Sequence, residues 1–179
     1  QVIYPFGYGL SYTDFKQEII DVKKDNDEIN IDVKVTNIGN YESKDVVQLY
    51  YQSEYTLFDQ INNIEKSSVN LIGFEKTKIL KPNEEQTLNV TIKEKDFTSY
   101  DSYNKKTYIL EKGDYYLAIG TDAHDANNNI LAKKGYTPSN TDNRMDSKGN
   151  PEMVYKITID NDDFEKYSKN DKDGGGRIL

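Results

Sequence analysis

Apolar and polar residues alternate with a period of two along most of the chain. In "EINIDVKVTN", residues 28–37, Ile29, Ile31, Val33 and Val35 are separated by polar neighbours, and in "QTLNVTI" Leu88, Val90 and Ile92 repeat the pattern. Successive side chains of a strand point to opposite faces, so both stretches read as strands with one face buried and one in water. Further strands are expected at 15–22, 45–52, 69–80, 106–110, 114–120 and 153–159. Turn chemistry at Gly39-Asn40, Pro82-Asn83 and Lys112-Gly113 separates several of them. Seven or so short strands with hardly a helix between them predict an all-β chain folded as a two-sheet sandwich. In "LEKGDYYLAIG", Leu110, Gly113, Tyr115, Leu117 and Ile119 are spaced as a corner leading into an inner strand. Tyr115 there is either a tyrosine corner or an ordinary core residue.

Three segments break the alternation. "TDAHDANNNILAKKG" offers Thr121 or Asp122 as an N-cap, Asp125 in a first turn, Lys133 and Lys134 in a last turn and Gly135 just beyond. These charges suit a helix dipole at both ends, and Ala123, Ala126 and Ile130 share one face, so a short helix resting on the sandwich is expected. Residues 136–152 are Pro, Gly, Asn and Ser punctuation without a period and predict a mobile loop. The opening "YPFGYGLSYT" packs Tyr4, Phe6, Tyr8 and Tyr12 around a proline and two glycines. Pro5 and the glycines disfavour helix, while the rings carry too much apolar surface for a free tail. The segment is therefore expected to run extended along the sandwich with Phe6 and at least one tyrosine buried.

Composition narrows the function classes. Of 179 residues, 35% are hydrophobic and 30% charged, which suits a folded domain; the formal net charge of -8 provides no basic stripe for a phosphate backbone and disfavours anionic membrane surfaces. With no cysteine, disulfides, thiolate metal sites and cysteine nucleophiles are excluded, but the compartment stays open. No run of about 18 apolar residues exists, and the lack of a signal peptide or an initiator Met suggests a piece of a longer chain.

The ordered motifs carry a resemblance. "YPFGYGLSYTDF" resembles the segment with which the fibronectin type III-like domain of glycoside hydrolase family 3 enzymes begins. "VKVTNIGNYESKDVVQLYY", "LIGFEKTKILKPNEEQTLNVTI", "KDFTSYD" and "GDYYLAIG" are similar to its following strands and turns, in order, and "MVYKITI" to its last strand. The resemblance implies a fibronectin type III-like, immunoglobulin-like sandwich over 15–160, entered by a linker at 1–14, interrupted by an insert at 121–152 and left by a polar Gly-rich linker at 161–179. It implies a non-catalytic structural domain of a β-glycosidase of β-glucosidase type, with no cofactor, the parent's other domains as partners, and an isolated domain that is monomeric. An extracellular or cell-surface bacterial parent is the favoured reading. Two domain orders stay open, because helical inserts of this kind resemble those of a subset whose domain precedes the catalytic barrel.

Candidate chemistry is weighed against that reading. A retaining glycosidase needs two carboxyl groups about 5 Å apart in a cleft. The close acidic pairs, Asp96 with Asp101, Asp122 with Asp125 and Asp162 with Asp163, fall in turns, a helix start and a tail, where capping or solvation explains them. In the resembled family the nucleophile and the acid/base lie outside this domain, and no catalytic residue is assigned here. His124, the one histidine, could join Asp122 or Asp125 and a serine such as Ser99, but no Gly-x-Ser-x-Gly elbow accompanies it. "DNDD" (160–163) and "TDNRMDSKGN" (141–150) offer oxygen ligands without a calcium-loop pattern, so no metal site is assigned. Asn89-Val-Thr fits a glycosylation sequon inside a strand and reads as a chance match. By alternation Tyr50 and Tyr116 point outward from neighbouring strands and form a candidate aromatic patch, for a domain contact or a sugar. An autonomous carbohydrate-binding or adhesion module is the alternative function, and a small hydrolase a third.

Overall fold

A computed structural model describes residues 3–142 and 144–164, and the tail reading for 165–179 lies outside them. Two antiparallel sheets face each other. β1 (Phe15–Asp25), β2 (Glu28–Asn37) and β5 (Glu85–Lys93) form one, in the order β1-β2-β5. β3 (Val46–Gln52), β4 (Asn70–Lys76), β8 (Gly113–Ile119) and β9 (Val154–Ile159) form the other, in the order β4-β3-β8-β9. A small hairpin pairs β6 (Ser99–Asp101) with β7 (Thr107–Ile109). This all-β sandwich agrees with the fold class expected from the sequence.

Alternation sets the core. Ile29, Ile31, Val33 and Val35 of β2 are all within 1% of complete burial and meet Leu88, Val90 and Ile92 of β5 on the same inner face. Val47 and Leu49 of β3, Leu117 and Ile119 of β8, and Ile157 and Ile159 of β9 come from the opposing sheet. Each such side chain stabilises the fold by about 1.5–3 kcal/mol on burial. The polar neighbours face water, where Asn89 donates to Asp32 at 2.7 Å and Thr91 to Asn30 at 2.7 Å.

At the end of the core, Phe97 sits between Tyr51 and Tyr115, with centroids 5.3 and 5.2 Å away. The Tyr115 hydroxyl donates to the Glu111 carbonyl at 2.9 Å, which settles this residue as a tyrosine corner. Asn37, fully buried, ties three loops together. Its amide donates to the Tyr41 and Leu80 carbonyls, both at 2.8 Å, while its oxygen accepts from Thr13 Oγ1 at 3.0 Å and Gly39 N at 3.1 Å.

Helices cover what the sheets leave open. α2 (Ala123–Lys133) starts at Asp122, whose side chain accepts from Asp125 N, and Gly135 follows it with φ +87°. Its Ala126 and Ile130 pack on Tyr50, Ala118 and Val154, making a second apolar cluster on the outer face of the four-stranded sheet. Gly120 permits this, since a Cβ there would fall 2.5 Å from Ala126 N. The helix is where the sequence placed it.

Other expectations are corrected. α1 (Leu57–Asn62) and β6 were not anticipated, being too short to show a period. Residues 136–142 and 144–152 are anchored rather than free: Met145 is buried, Asn150 N donates to Asn129 Oδ1 at 2.7 Å, and Asn128 is hydrogen-bonded to Asp146. One buried methionine and side-chain hydrogen bonds do this without any periodic signal. The opening segment is not extended and does not bury its phenylalanine; Phe6 is 67% exposed.

Candidate functional site

The opening segment is held by its backbone. Tyr8 N donates to the Pro5 carbonyl at 3.2 Å, closing a turn in which Gly7 has φ +85°. That angle favours glycine, and a Cβ would lie 2.2 Å from Gln48 Oε1 and 2.3 Å from the Tyr50 hydroxyl. Gln48 and Tyr50 project from the outer face of β3. The Gln48 amide donates to the Gly7 carbonyl at 3.0 Å and to the Thr121 carbonyl at 2.9 Å. The Tyr50 hydroxyl donates to Gln48 Oε1 at 2.8 Å, with the Phe6 carbonyl at 3.4 Å. Ala123 N, in the first turn of α2, donates to that same carbonyl at 2.9 Å, supplying a partner for a helix donor that has none within its own helix. Burial, followed by the nearby Asp122 charge, pushes the Tyr50 phenol up to about 12, so it remains a neutral donor.

The rings of the segment consequently face outward. Tyr4 and Tyr8 stack at 4.9 Å between centroids, 24° from parallel, and Phe6, Leu10 and Tyr12 are exposed. The clasp fixes the backbone and presents an apolar surface.

The expected Tyr50 and Tyr116 patch is corrected by α2. Alternation places both on the outer face, but the helix covers Tyr50, leaving it 1% exposed, and Tyr116 is half-buried with Lys134 Nζ 4.5 Å above its ring. The two rings are packing elements of the insert and offer no open platform.

The acidic candidates hold backbone. Asp96 accepts from Lys93 N at 2.9 Å. Asp101, fully buried, accepts from the N–H groups of Tyr103, Asn104 and Lys105 at 3.0–3.1 Å. Asp122 and Asp125 cap α2, and Asp162 accepts from Lys112 N at 2.8 Å. Asp163 pairs with Leu110 through the backbone. His124 is exposed, with Nδ1 3.6 Å from Asp146 Oδ2 rather than in a relay with Asp122, Asp125 or Ser99. A cleft of about 290 Å³ is lined by Lys24, Glu94, Asp160, Asp162 and Asp163 among others. Among the described residues no group of three or more His, Asp or Glu is arranged to hold a metal. The sequence reading missed Gln48 and the clasp; the available signal was a polar residue at an outward position of "VVQLYYQ" together with a Pro-Phe-Gly turn.

The strand order, tyrosine corner and core define a fibronectin type III-like sandwich domain, and the comparisons with known proteins agree. Residues 45–123 match the family described as fibronectin type III-like domain. The chain is 40% identical over 130 residues to a β-glucosidase of Ruminococcus albus, a match covering 70% of this chain and 13% of that protein. It is 37% identical over 143 residues to β-glucosidase A of Butyrivibrio fibrisolvens, covering 70% and 16%. The crystal structure of a Kluyveromyces marxianus β-glucosidase in complex with glucose superposes with a TM-score of 0.67 at 27% identity, over 90% of this chain and 16% of that one. The chain thus carries a fibronectin type III-like domain homologous to a segment of glycoside hydrolase family 3 β-glucosidases, and it spans less than a fifth of their length.

Proposed function

We propose that this chain is the non-catalytic structural domain of a longer family 3 β-glycosidase, of β-glucosidase type, in which it braces the catalytic domains against one another. The observation that carries the reading is the clasped opening turn, whose backbone is fixed by Gln48, Tyr50 and Ala123 while Tyr4, Phe6 and Tyr8 are left for another surface to cover. The capping roles of the acidic residues support it, since glycoside cleavage requires two positioned carboxyls in a water-excluding pocket. A brace acts by position: a catalytic group displaced by about 1 Å can lose on the order of a hundredfold in rate. Partners are the other domains of the same longer chain, and the isolated domain is monomeric.

The test uses residues 1–179 and the longer enzyme side by side. The isolated chain should hydrolyse no aryl β-glucoside and should not be retained on β-glucans, whereas deleting it from the longer enzyme should lower thermal stability or activity. Turnover abolished by Asp122→Asn or Asp125→Asn would instead make the chain a hydrolase, and glucan retention abolished by Tyr116→Ala would make it a binding module.

A further inference from the structure

Between β3 and β4 the chain makes a detour, residues 53–69, that carries α1. Thr56 caps this helix reciprocally with Asp59: Asp59 N donates to Thr56 Oγ1 at 3.1 Å and Thr56 N to Asp59 Oδ2 at 2.8 Å. At the far end of the detour, Lys66 Nζ donates to Asp59 Oδ2 at 2.8 Å, to Glu111 Oε2 and to the Glu54 carbonyl at 3.3 Å. Thr56 Oγ1 donates to Glu111 Oε1 at 2.7 Å. The side chains of Lys66, Asp59 and Glu111 are 8%, 0% and 7% exposed. One ammonium therefore serves two buried carboxyls, and if both were ionised one negative charge would remain uncompensated. Among the described residues Asp59 Oδ1, which is buried, has no hydrogen-bond partner. A buried ion pair is stable only where charge and lone pairs are both satisfied, and here neither condition is met.

Among the described residues Lys66 is the one cation within ion-pair distance of Asp59 or Glu111; Lys105, in the β6–β7 turn, stands over Phe164, which stacks on Phe58 of α1. From β8, the Tyr115 hydroxyl donates to the Glu111 carbonyl and stays neutral, because burial and then the Glu111 charge push its phenol up. Tyr51 of β3 lies beyond it, also pushed up by burial and then by Asp96. Glu54 Oε2 stands beside Gly113, adding another acidic group at the same end.

We propose that the Glu111 carboxyl, which shares the Lys66 ammonium with Asp59, holds one bound proton, and that this proton latches the 53–69 detour, with α1 on it, against the start of β8. With the proton in place, one ammonium faces one carboxylate and one neutral carboxyl, and the buried charge is balanced. Burial raises Glu111 above the ordinary glutamate range; the Lys66 and Thr56 hydrogen bonds oppose this, and contact with Asp59 adds to it. The latched form therefore holds a proton that the open form releases to solvent. Latching is complete below the ordinary value and is lost as pH rises through the raised one.

The test follows the Glu111 side-chain carboxyl by NMR and the exchange of amides 57–66 across pH in the 179-residue chain. The carboxyl should titrate above the ordinary value of about 4.3. Between that value and the raised one, the opening constants of the α1 amides should rise by up to about tenfold per pH unit beyond the intrinsic exchange dependence. Glu111→Gln should flatten that slope, and Glu75→Gln, at an exposed position, should leave it intact. A carboxyl titrating at or below the ordinary value, or an opening constant independent of pH in the unmutated chain, overturns the latch. If Glu111→Gln does not fold, Asp59→Asn takes its place: a Glu111 titration returned toward the ordinary value supports the bound proton, and an unmoved one overturns it.

Discussion

Single residues in this domain matter most where they end a backbone problem. Asn37 has every polar atom of its side chain engaged while fully buried, so truncation removes an acceptor for Thr13 and Gly39 and a donor for two carbonyls. Unpaired buried groups of this kind cost about 1–3 kcal/mol each, so Asn37→Ala should shift the denaturant midpoint well below wild type without changing the slope of the transition. Asp101 does the same for the β6–β7 hairpin and adds a pH dependence. Burial would raise its carboxyl, but the donors at Asn104, Lys105 and Tyr103 outweigh burial and hold it below the ordinary aspartate range. A group lowered in the folded state contributes its full stability above its unfolded value of about 3.9 and loses it as pH falls through the folded value. Acid unfolding monitored by circular dichroism should therefore begin at higher pH in Asp101→Ser, with the gap from wild type closing at the acid end. Neither role could be found from composition, because Asn and Asp are as common in solvated turns as in buried ones.

At the scale of elements, legibility followed periodicity. The three-stranded sheet was visible because β2 and β5 alternate without interruption and their inner faces supply one side of the core. α2 was visible through its caps, with Asp122 before it and Gly135 after it. α1 was not, since six residues are less than two turns and the segment is held through Lys66 and Thr56 to Glu111, far along the chain. The outer patch at Tyr50 failed for a related reason: alternation reports which face a side chain takes, not what lies over that face. The same reasoning predicts the behaviour of the insert. Because Ala126 and Ile130 bury Tyr50, and Gly149 approaches the Asn128 carbonyl within the distance a Cβ would need, amides from Ala126 to Lys133 should be protected from exchange. Ile130→Ala should cost about 2–5 kcal/mol, and by freeing Tyr50 it should also bring that phenol down from about 12 in an ultraviolet pH titration.

On the scale of the whole molecule, the opening turn and the sandwich core are physically separate, and this separates two kinds of stability. The inner cluster is built from strands and the Phe97 turn, and residues 3–12 contribute no side chain to it. What the turn contributes is backbone, through the carbonyls of Phe6 and Gly7, while its rings stand outside. Surface substitutions away from caps and cores usually change stability by within about 0.5 kcal/mol, so Phe6→Ala should leave the melting midpoint of residues 1–179 nearly unchanged. Gly7→Ala should not be silent, because the side chain would be forced to a φ of +85° and into Gln48 and Tyr50, loosening the clasp. In a longer enzyme where another domain covers Phe6, the order inverts. Truncating a buried Phe costs about 3–5 kcal/mol, so Phe6→Ala should there lower the midpoint clearly and reduce kcat as the catalytic domains lose their brace. Calorimetry of Phe6→Ala in both contexts decides the matter: a large loss in the isolated chain would mean that the ring is buried within the domain itself, and no loss in either context would mean that nothing docks on the turn.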